Sequence, residues 1–413
     1  MNVLLLAEVS AERVLGGAER VLREQACALA ARGQQVSIVA RALSDQSLSD
    51  QTVPVARIGT LPEYRYGVSR GHELGFVLSS IRGALRAFDA ARSNCPPDAV
   101  IIHQSLAGLG PILARRRAAR FLYLCHSLAH EEYQSRQRVG TTALAVVRHR
   151  LNTLARFWTE RLVIRRCTRV VVLSEFMSRR VRSYHGIAPD RIRVIPGAVD
   201  QDRFSPAADR HHRLEIRNRL QLPTDRTILF TVRNLVSRMG LEALLDAMPL
   251  IRKDGHEPLL LIGGEGPLHA ELATRIDRLG LSSQVRLLGF VPESSLPDYY
   301  RMADLVVLPT HELEGFGLIA VEALASGTLV VGTPVGAIPE LLGRVDPMLI
   351  TDGTDAPALA GSISRLLRRF RDRPAEHERL ALGGRQLVEK EYTWGRHAEE
   401  LETVLQEVCS ERR

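Results

Sequence analysis

PTHELEGFGLIAVEALASG, residues 309–327, decides how the chain is read. It follows an apolar run, Leu305 to Leu308, that reads as the end of a strand, and it turns through Gly315 and Gly317 into a helical segment. A helix starting near Gly317 leaves its first backbone N–H groups without partners inside the helix, so they can point at an anion. Glu314 then stands just before the helix, and Glu322, eight residues on, lies one to two turns inside it on the face turned back toward the sheet. Carboxylates that accept from hydroxyl groups, beside amides that hold a diphosphate, suit a ligand built like a sugar nucleotide. The same residues admit a plainer reading, in which the loop Glu favours the helix dipole and the helical Glu is solvated.

Upstream of this stretch, strands and helices alternate. Thr227–Val232 reads as a strand before RNLVSRMG (Arg233–Gly240) and a helix to Arg252. Pro258–Ile262 is a strand running into GGEGP (Gly263–Pro267) and a helix to Leu279; Val285–Val291 is a further strand and Leu296–Met302 a short helix. Downstream, Leu329–Gly332 is one more strand, and helices fill the chain from Ala356, interrupted at Tyr392-Thr393-Trp394 before a last helix, Arg396–Cys409. The N-terminal half has the same grammar: Val3–Ala7 strand, Gly16-Gly17 turn, Ala18–Arg32 helix, Gln35–Arg41 strand. In open parallel sheets, ligands bind at the carboxyl ends of strands, and glycines at the first turn fit that rule. The pattern is not GxGxxG, which disfavours a dinucleotide-binding dehydrogenase.

Strands at Ala99–His103 and Arg120–Cys125 end at His103 and His126, a third at Arg169–Leu173 ends at Ser174-Glu175, and Arg191–Ile195 is the last of this half. These rim residues are candidate site linings, against the alternative of loop histidines without a role. The polar, turn-rich segment Asp200–Asp209 is the expected linker. The predicted fold is therefore α/β, with two doubly wound parallel-sheet (Rossmann-like) domains facing across a cleft. Residues 1–200, completed by a helix at 395–413, form the acceptor-side domain, and residues 201–394 form the nucleotide-sugar domain.

The composition is that of a globular protein: 413 residues, 45% apolar, 25% charged. No segment is apolar and long enough to span a bilayer, and MNVLLLAEVS reads as a first strand, not a signal peptide. Five scattered cysteines without CxxC spacing give neither a disulfide framework nor a zinc motif, which points to a cytoplasmic protein. The net charge of +8 is concentrated: residues 111–170 hold 13 Arg and 3 Glu, leaving about −2 for everything else. Within that region Thr141–Arg166 reads as one helix with Leu144, Val147, Leu151, Leu154 and Trp158 at helical spacing and Arg148, Arg150, Arg156, Arg161 and Arg165 on other faces. Such a helix either packs on the sheet by its apolar stripe or lies on an anionic membrane. Nucleic acid is disfavoured, because few aromatics accompany the arginines and no nucleic-acid motif is present.

The motifs GGAER (Gly16–Arg20), VVLSEFM (Val171–Met177), RIRVIPGAVD (Arg191–Asp200), RNLVSRMGLE (Arg233–Glu242), IGGEGP (Ile262–Pro267), LGFVP (Leu288–Pro292) and EGFGLIAVEALASG, in that order, resemble the retaining glycosyltransferases of the GT-B fold, family 4 (glycosyl transferases group 1). The resemblance covers nearly the whole chain. It implies that Glu314 contacts the transferred sugar, that Glu322 contacts the ribose, and that amides around Phe316, Gly317 and Leu318 hold phosphate and sugar. Gly16, Gly17 and Gly264 join the donor site, His126 sits at the reacting sugar, and His103, Ser174 and Glu175 lie on the acceptor side. Where the family places an Arg and a Lys on the diphosphate, this chain has Asn234 and Met239; Arg233 and Arg238, each one residue earlier, are expected to take over, with Arg238 counted among the catalytic residues.

The resemblance further implies a metal-independent retaining hexosyltransferase, with no cofactor beyond the nucleotide-diphosphate sugar it consumes, and no Asp-x-Asp motif is present to hold a metal. The acceptor would be a glycan or lipid-linked hydroxyl in bacterial surface polysaccharide or glycolipid synthesis, with the enzyme cytoplasmic or peripheral on the inner face of the membrane. Two rivals keep the fold without the transfer. A sugar-nucleotide epimerase needs a matched acid–base carboxylate set that is not found, and a non-catalytic nucleotide-sugar binder is supported by Met239 and opposed by the intact Glu314–Glu322 pair.

Overall fold

The computed structural model describes residues 1–11, 16–42, 53–58, 61–69, 73–115, 119–136 and 142–410. The chain divides into two compact units: Met1–Gly197 with Trp394–Arg413, and Ala198–Thr393.

Among the described residues the first unit is built on eight strands: β1 (Asn2–Leu6), β2 (Gln35–Arg41), β3 (Val53–Ile58), β4 (Leu61–Tyr66), β5 (Ala99–Ile102), β6 (Arg120–Cys125), β7 (Arg169–Val172) and β8 (Ile192–Val194). Their order is β3-β4-β2-β1-β5-β6-β7-β8, parallel throughout except where β3 runs antiparallel to β4 at the edge. The central strands are unbroken apolar runs because helices cover both faces: all of Ala99–Ile102 and Val3–Leu6 is buried. The β3–β4 pair is not among the strands expected from the sequence; Pro54, Pro62 and the charges Arg57, Glu63 and Arg65 break the apolar runs that mark interior strands. The helix Trp394–Ser410 belongs to this unit. It is held by His397, whose Nδ1–H donates to the Pro196 carbonyl (2.6 Å) and whose Nε2 accepts from Gln25 Nε2 (2.8 Å), and by an Arg32–Glu402 ion pair at 2.8 Å.

The second unit holds β9 (Ile228–Val232), β10 (Leu259–Gly263), β11 (Val285–Gly289), β12 (Leu305–Leu308) and β13 (Val330–Gly332), all parallel, in the order β11-β10-β9-β12-β13. The winding reverses between β9 and β12, so the loops after these two strands flank a topological switch point. Those loops are RNLVSRMG (Arg233–Gly240) and Pro309–Gly317. In the first unit the switch lies between β1 and β5, with His103 the residue just after β5 and His126 the residue just after its neighbour β6.

The helix Ala143–Arg166 buries Thr153, Glu160, Val163 and Ile164, and of the two placements left open for its apolar stripe, packing on the sheet is not the one seen: Leu144 is 80% exposed, Leu151 61% and Trp158 60%, with Val147 and Leu154 also exposed. Glu160 lies in the contact face, bonded to Tyr123 of β6 and the Ala129 N–H. This fixes the helix rotation and turns the periodic apolar positions outward.

Candidate functional site

The main site grows from the ends of β9 and β12. After β12, Pro309–Gly317 cannot continue the sheet, and Gly317 takes a left-handed conformation (φ 90°) as N-cap of the helix Leu318–Ala325. Gly317 has no side chain to cap the helix, so the first-turn amides receive none of the usual side-chain acceptors. The loop after β9 is interlaced with this one. The N–H groups of His311 and Glu312 donate to the Arg238 carbonyl (2.8 and 3.1 Å), and Arg238 Nη1 donates to the Leu313 carbonyl at 2.8 Å. Ala337 N–H fixes the Glu314 carbonyl from a third loop at 2.9 Å.

Arg233 turns inward. Its Nη2 forms an ion pair with Glu314 Oε2, which also accepts from Thr310 Oγ1 at 3.3 Å. The Arg233 side chain is 4% exposed, yet its Nε and Nη1 make no hydrogen bond among the described residues. A buried guanidinium with unused donors is set up for an anion with several oxygens. Asn234 is exposed and Met239 is buried, while Arg233 pairs with Glu314 and Arg238 donates to the Leu313 carbonyl. Gly264 lies against this arginine's backbone, where a Cβ would come within 1.9 Å of the Arg233 carbonyl oxygen.

Glu322 is 1% exposed, which corrects the plainer reading of a solvated helical Glu; Tyr300 Oη donates to its Oε2 at 2.7 Å. Phe316 is buried with its ring 5.9 Å from that of Tyr392, and Leu318 is the first residue of the helix. Thr310 and Tyr300 are polar partners that the sequence reading did not single out; nothing in their local pattern distinguishes them from ordinary strand-end and helix residues.

In the first unit the rim residues form a separate group. His103 Nδ1 and His126 Nε2 are 3.0 Å apart, at the ends of β5 and β6. Desolvation holds His126 at about 4, only partly countered by Glu132, and drives His103 well below the ordinary imidazole range, with His126 and His397 adding to the effect. Both rings are therefore neutral near pH 7, able to hydrogen-bond without carrying charge. Glu8, just past β1, accepts from the Leu106 and Ala107 N–H groups (2.7 and 3.3 Å), a contact the reading of its loop did not foresee. Ser174 has a structural duty: its Oγ accepts from Met177 N–H as N-cap of the helix Glu175–His185, and Glu175 is exposed in the first turn. Gly16 is the N-cap of the helix Gly17–Ala31.

Comparison with known proteins bears on both units. The glycosyltransferase family 4 model matches residues 15–203 and the glycosyl transferases group 1 model matches residues 212–380. The D-inositol 3-phosphate glycosyltransferase of Mycolicibacterium smegmatis is 31% identical over 366 residues, covering 86% of this chain and 79% of that protein. The GDP-mannose-dependent alpha-(1-6)-phosphatidylinositol monomannoside mannosyltransferase of the same organism is 30% identical over 271 residues, 63% of this chain and 64% of that protein. Among solved structures, the sucrose-phosphate synthase of Thermosynechococcus elongatus has a TM-score of 0.79 at 23% identity, over 98% of each chain, which is a likeness of fold.

Proposed function

The chain belongs to the family 4, group 1 glycosyltransferases of the GT-B fold, and from this premise we propose that it moves a hexose, with retention of configuration, from a nucleotide-diphosphate sugar to a hydroxyl of a lipid-linked or glycan acceptor in bacterial surface polysaccharide or glycolipid synthesis. The observation that carries the donor half is the buried Arg233 with two unused donors beside Glu314, at the N-terminus of the helix Leu318–Ala325. Those donors, Arg238 and the first-turn amides, including those at Phe316, Gly317 and Leu318, meet the diphosphate charge. Glu314 takes a sugar hydroxyl and Glu322, steadied by Tyr300, takes the ribose.

The anomeric carbon–oxygen bond to the phosphate breaks while the acceptor oxygen bonds on the same face. The acceptor proton passes to the departing phosphate oxygen, and nucleoside diphosphate leaves. With the leaving-group charge met by arginines and amides, the step as we read it calls for no metal. We assign neutral His126 a hydrogen bond to the reacting sugar, Gly16 and Gly17 to the diphosphate, and His103 and Glu175 to the acceptor.

The acceptor half rests on the outward stripe Leu144, Val147, Leu151, Leu154 and Trp158, flanked by exposed Arg148, Arg150, Arg156 and Arg165. Five large apolar side chains in solvent beside four arginines match an anionic lipid surface. No helix among the described residues is long and apolar enough to cross a membrane, so the contact we propose is peripheral. The relatives' named acceptors make polyol phosphates and phosphatidylinositol glycolipids the first to try. The test is nucleotide-diphosphate release across a panel of nucleotide sugars, with and without those acceptors, alongside Glu322→Ala. Release from one donor, reduced by the substitution, supports the reading; no donor bound by the intact chain refutes it.

A further inference from the structure

We infer that His130, Glu160 and His185 bind one divalent transition-metal ion, zinc by the nature of the ligands, at a site in the first unit separate from the donor residues. The three come from three helices, Ala129–Arg136, Ala143–Arg166 and Glu175–His185, and are 55 residues apart in the chain from first to last. No short ligand motif could reveal them. All three are buried, at 5%, 0% and 0% exposure, and one ligand atom from each lies within 4.8 Å of the others.

The distances suit a metal better than a hydrogen-bonded cluster. Glu160 Oε2 is 3.4 Å from His185 Nε2 and 3.7 Å from His130 Nδ1. Both imidazoles are nonetheless left without a hydrogen bond at either nitrogen among the described residues. Bonds of about 2.0–2.2 Å to a tetrahedral zinc place neighbouring ligand atoms about 3.3–3.6 Å apart, close to what is observed. Four orphaned imidazole nitrogens in the interior of one helix layer are unusual, since buried polar atoms are nearly always partnered; a cation between them supplies the partner for two.

The surroundings orient the ligands as metal sites do. Tyr123 Oη donates to Glu160 Oε1 at 3.0 Å, and the Ala129 N–H reaches both carboxylate oxygens at 3.2 Å, leaving Oε2 turned toward the histidines. Phe157 and Tyr184 pack edge-on against the His130 ring at 5.2 and 4.9 Å and shield the site. Arg161 and Arg165 tie the last turn of the His185 helix through the carbonyls of Tyr184 (2.9 Å) and His185 (3.4 Å). Two imidazoles and one carboxylate leave a fourth position for water. The ion would staple the helix that carries the outward stripe to its two neighbours, a structural use of zinc.

The test uses the full chain, stripped with chelator and titrated with Zn2+ and Co2+. The expected result is one Zn2+ retained per chain after gel filtration, visible ligand-field bands of four-coordinate Co2+, and a higher melting temperature with metal. His130→Gln and His185→Gln should each abolish retention, and Tyr123→Phe, which keeps all three ligands, should weaken binding about 10–100-fold. Absence of stoichiometric binding by the intact chain overturns the inference, whatever the variants do; in that case the cluster is held by a shared proton. Retention unchanged in both histidine variants also overturns it, locating the ion on surface histidines such as His211 and His212.

Discussion

Replacing Glu314 with Gln keeps the size of the side chain and removes the carboxylate that pairs with Arg233, whose side chain is 4% exposed with Nε and Nη1 already unpartnered among the described residues. Breaking one side of a buried ion pair costs about 3–5 kcal/mol, because the remaining charge is left uncompensated. The Glu314 side chain is 15% exposed, so water can reach the gap and the lower end, about 3 kcal/mol, applies. In a unit of roughly 200 residues each kcal/mol moves the melting temperature by about 2–4 °C, giving a fall of about 6–12 °C for the second unit. A bound diphosphate supplies the missing counter-charge, so nucleoside diphosphate should raise the melting temperature more in Glu314→Gln than in the unaltered chain. At a hundredfold excess over Kd the ligand contributes about 2.7 kcal/mol in either protein; comparison at equal free ligand therefore reports the difference in affinity. Calorimetry with and without nucleotide is the assay. A variant that melts within about 2 °C of the parent, or that gains no more than the parent from nucleotide, refutes the placement of Arg233 at the diphosphate.

Tyr300→Phe removes a 2.7 Å hydrogen bond to the buried Glu322 carboxylate, worth about 1.5–3 kcal/mol for a charged acceptor, and should weaken nucleotide affinity measurably by titration calorimetry. Unchanged affinity would separate Glu322 from the ribose. Leu151→Glu with Trp158→Ala should leave stability within about 0.5 kcal/mol, since both side chains are outside, while co-sedimentation with anionic vesicles falls at least tenfold. Retained vesicle binding would reject the stripe as the contact. The stability of the first unit should fall with acid. Desolvation holds His126 and His397 at about 4, against 6.5 in the unfolded chain, so between those values the unfolded state binds more protons and stability drops as pH falls. Each histidine contributes up to about 3 kcal/mol, fully present above about pH 6.5 and lost on the way to pH 4. In urea unfolding at pH 7 and pH 5, His397→Gln should show the smaller loss; equal losses would exclude His397 as a source.

Element identity was legible wherever burial on both faces makes a strand continuously apolar. Gln35–Arg41, Arg120–Cys125 and Leu305–Leu308 have the bounds read from the sequence, and other strands differ by a residue or two at their ends. The edge pair β3–β4 was not legible, because an edge strand carries prolines and charges that read as loop. Gly317 was read as the helix start because a glycine after a polar turn before an apolar run has few other uses. At the site, Glu314 and Glu322 were visible as a pair, but Arg233 against Glu314 and Tyr300 against Glu322 join positions 81 and 22 residues apart. Such pairings depend on which strands the winding sets side by side. His103 and His126, read separately as rim residues, touch because β5 and β6 are neighbours in the sheet.

The helix Ala143–Arg166 shows why periodicity alone misleads. An apolar stripe normally marks the face that folding buries, because burial of each Leu side chain stabilises by about 1.5–3 kcal/mol. Here the stripe is outside and the inward face carries Glu160, a charge whose desolvation is offset by Tyr123, the Ala129 N–H and the two histidines. Rotating the helix to bury the stripe would take Glu160 away from Tyr123 and the Ala129 N–H, so the inward polar contacts, with buried Val163 and Ile164, hold the rotation that leaves the leucines outside. Exposed side chains of this size in one row persist in a folded chain when something outside the chain covers them. The inward histidine–glutamate cluster and the outward stripe are therefore two consequences of one rotation: a metal at the first would hold the helix rigid, and a rigid helix keeps the second presented to a surface.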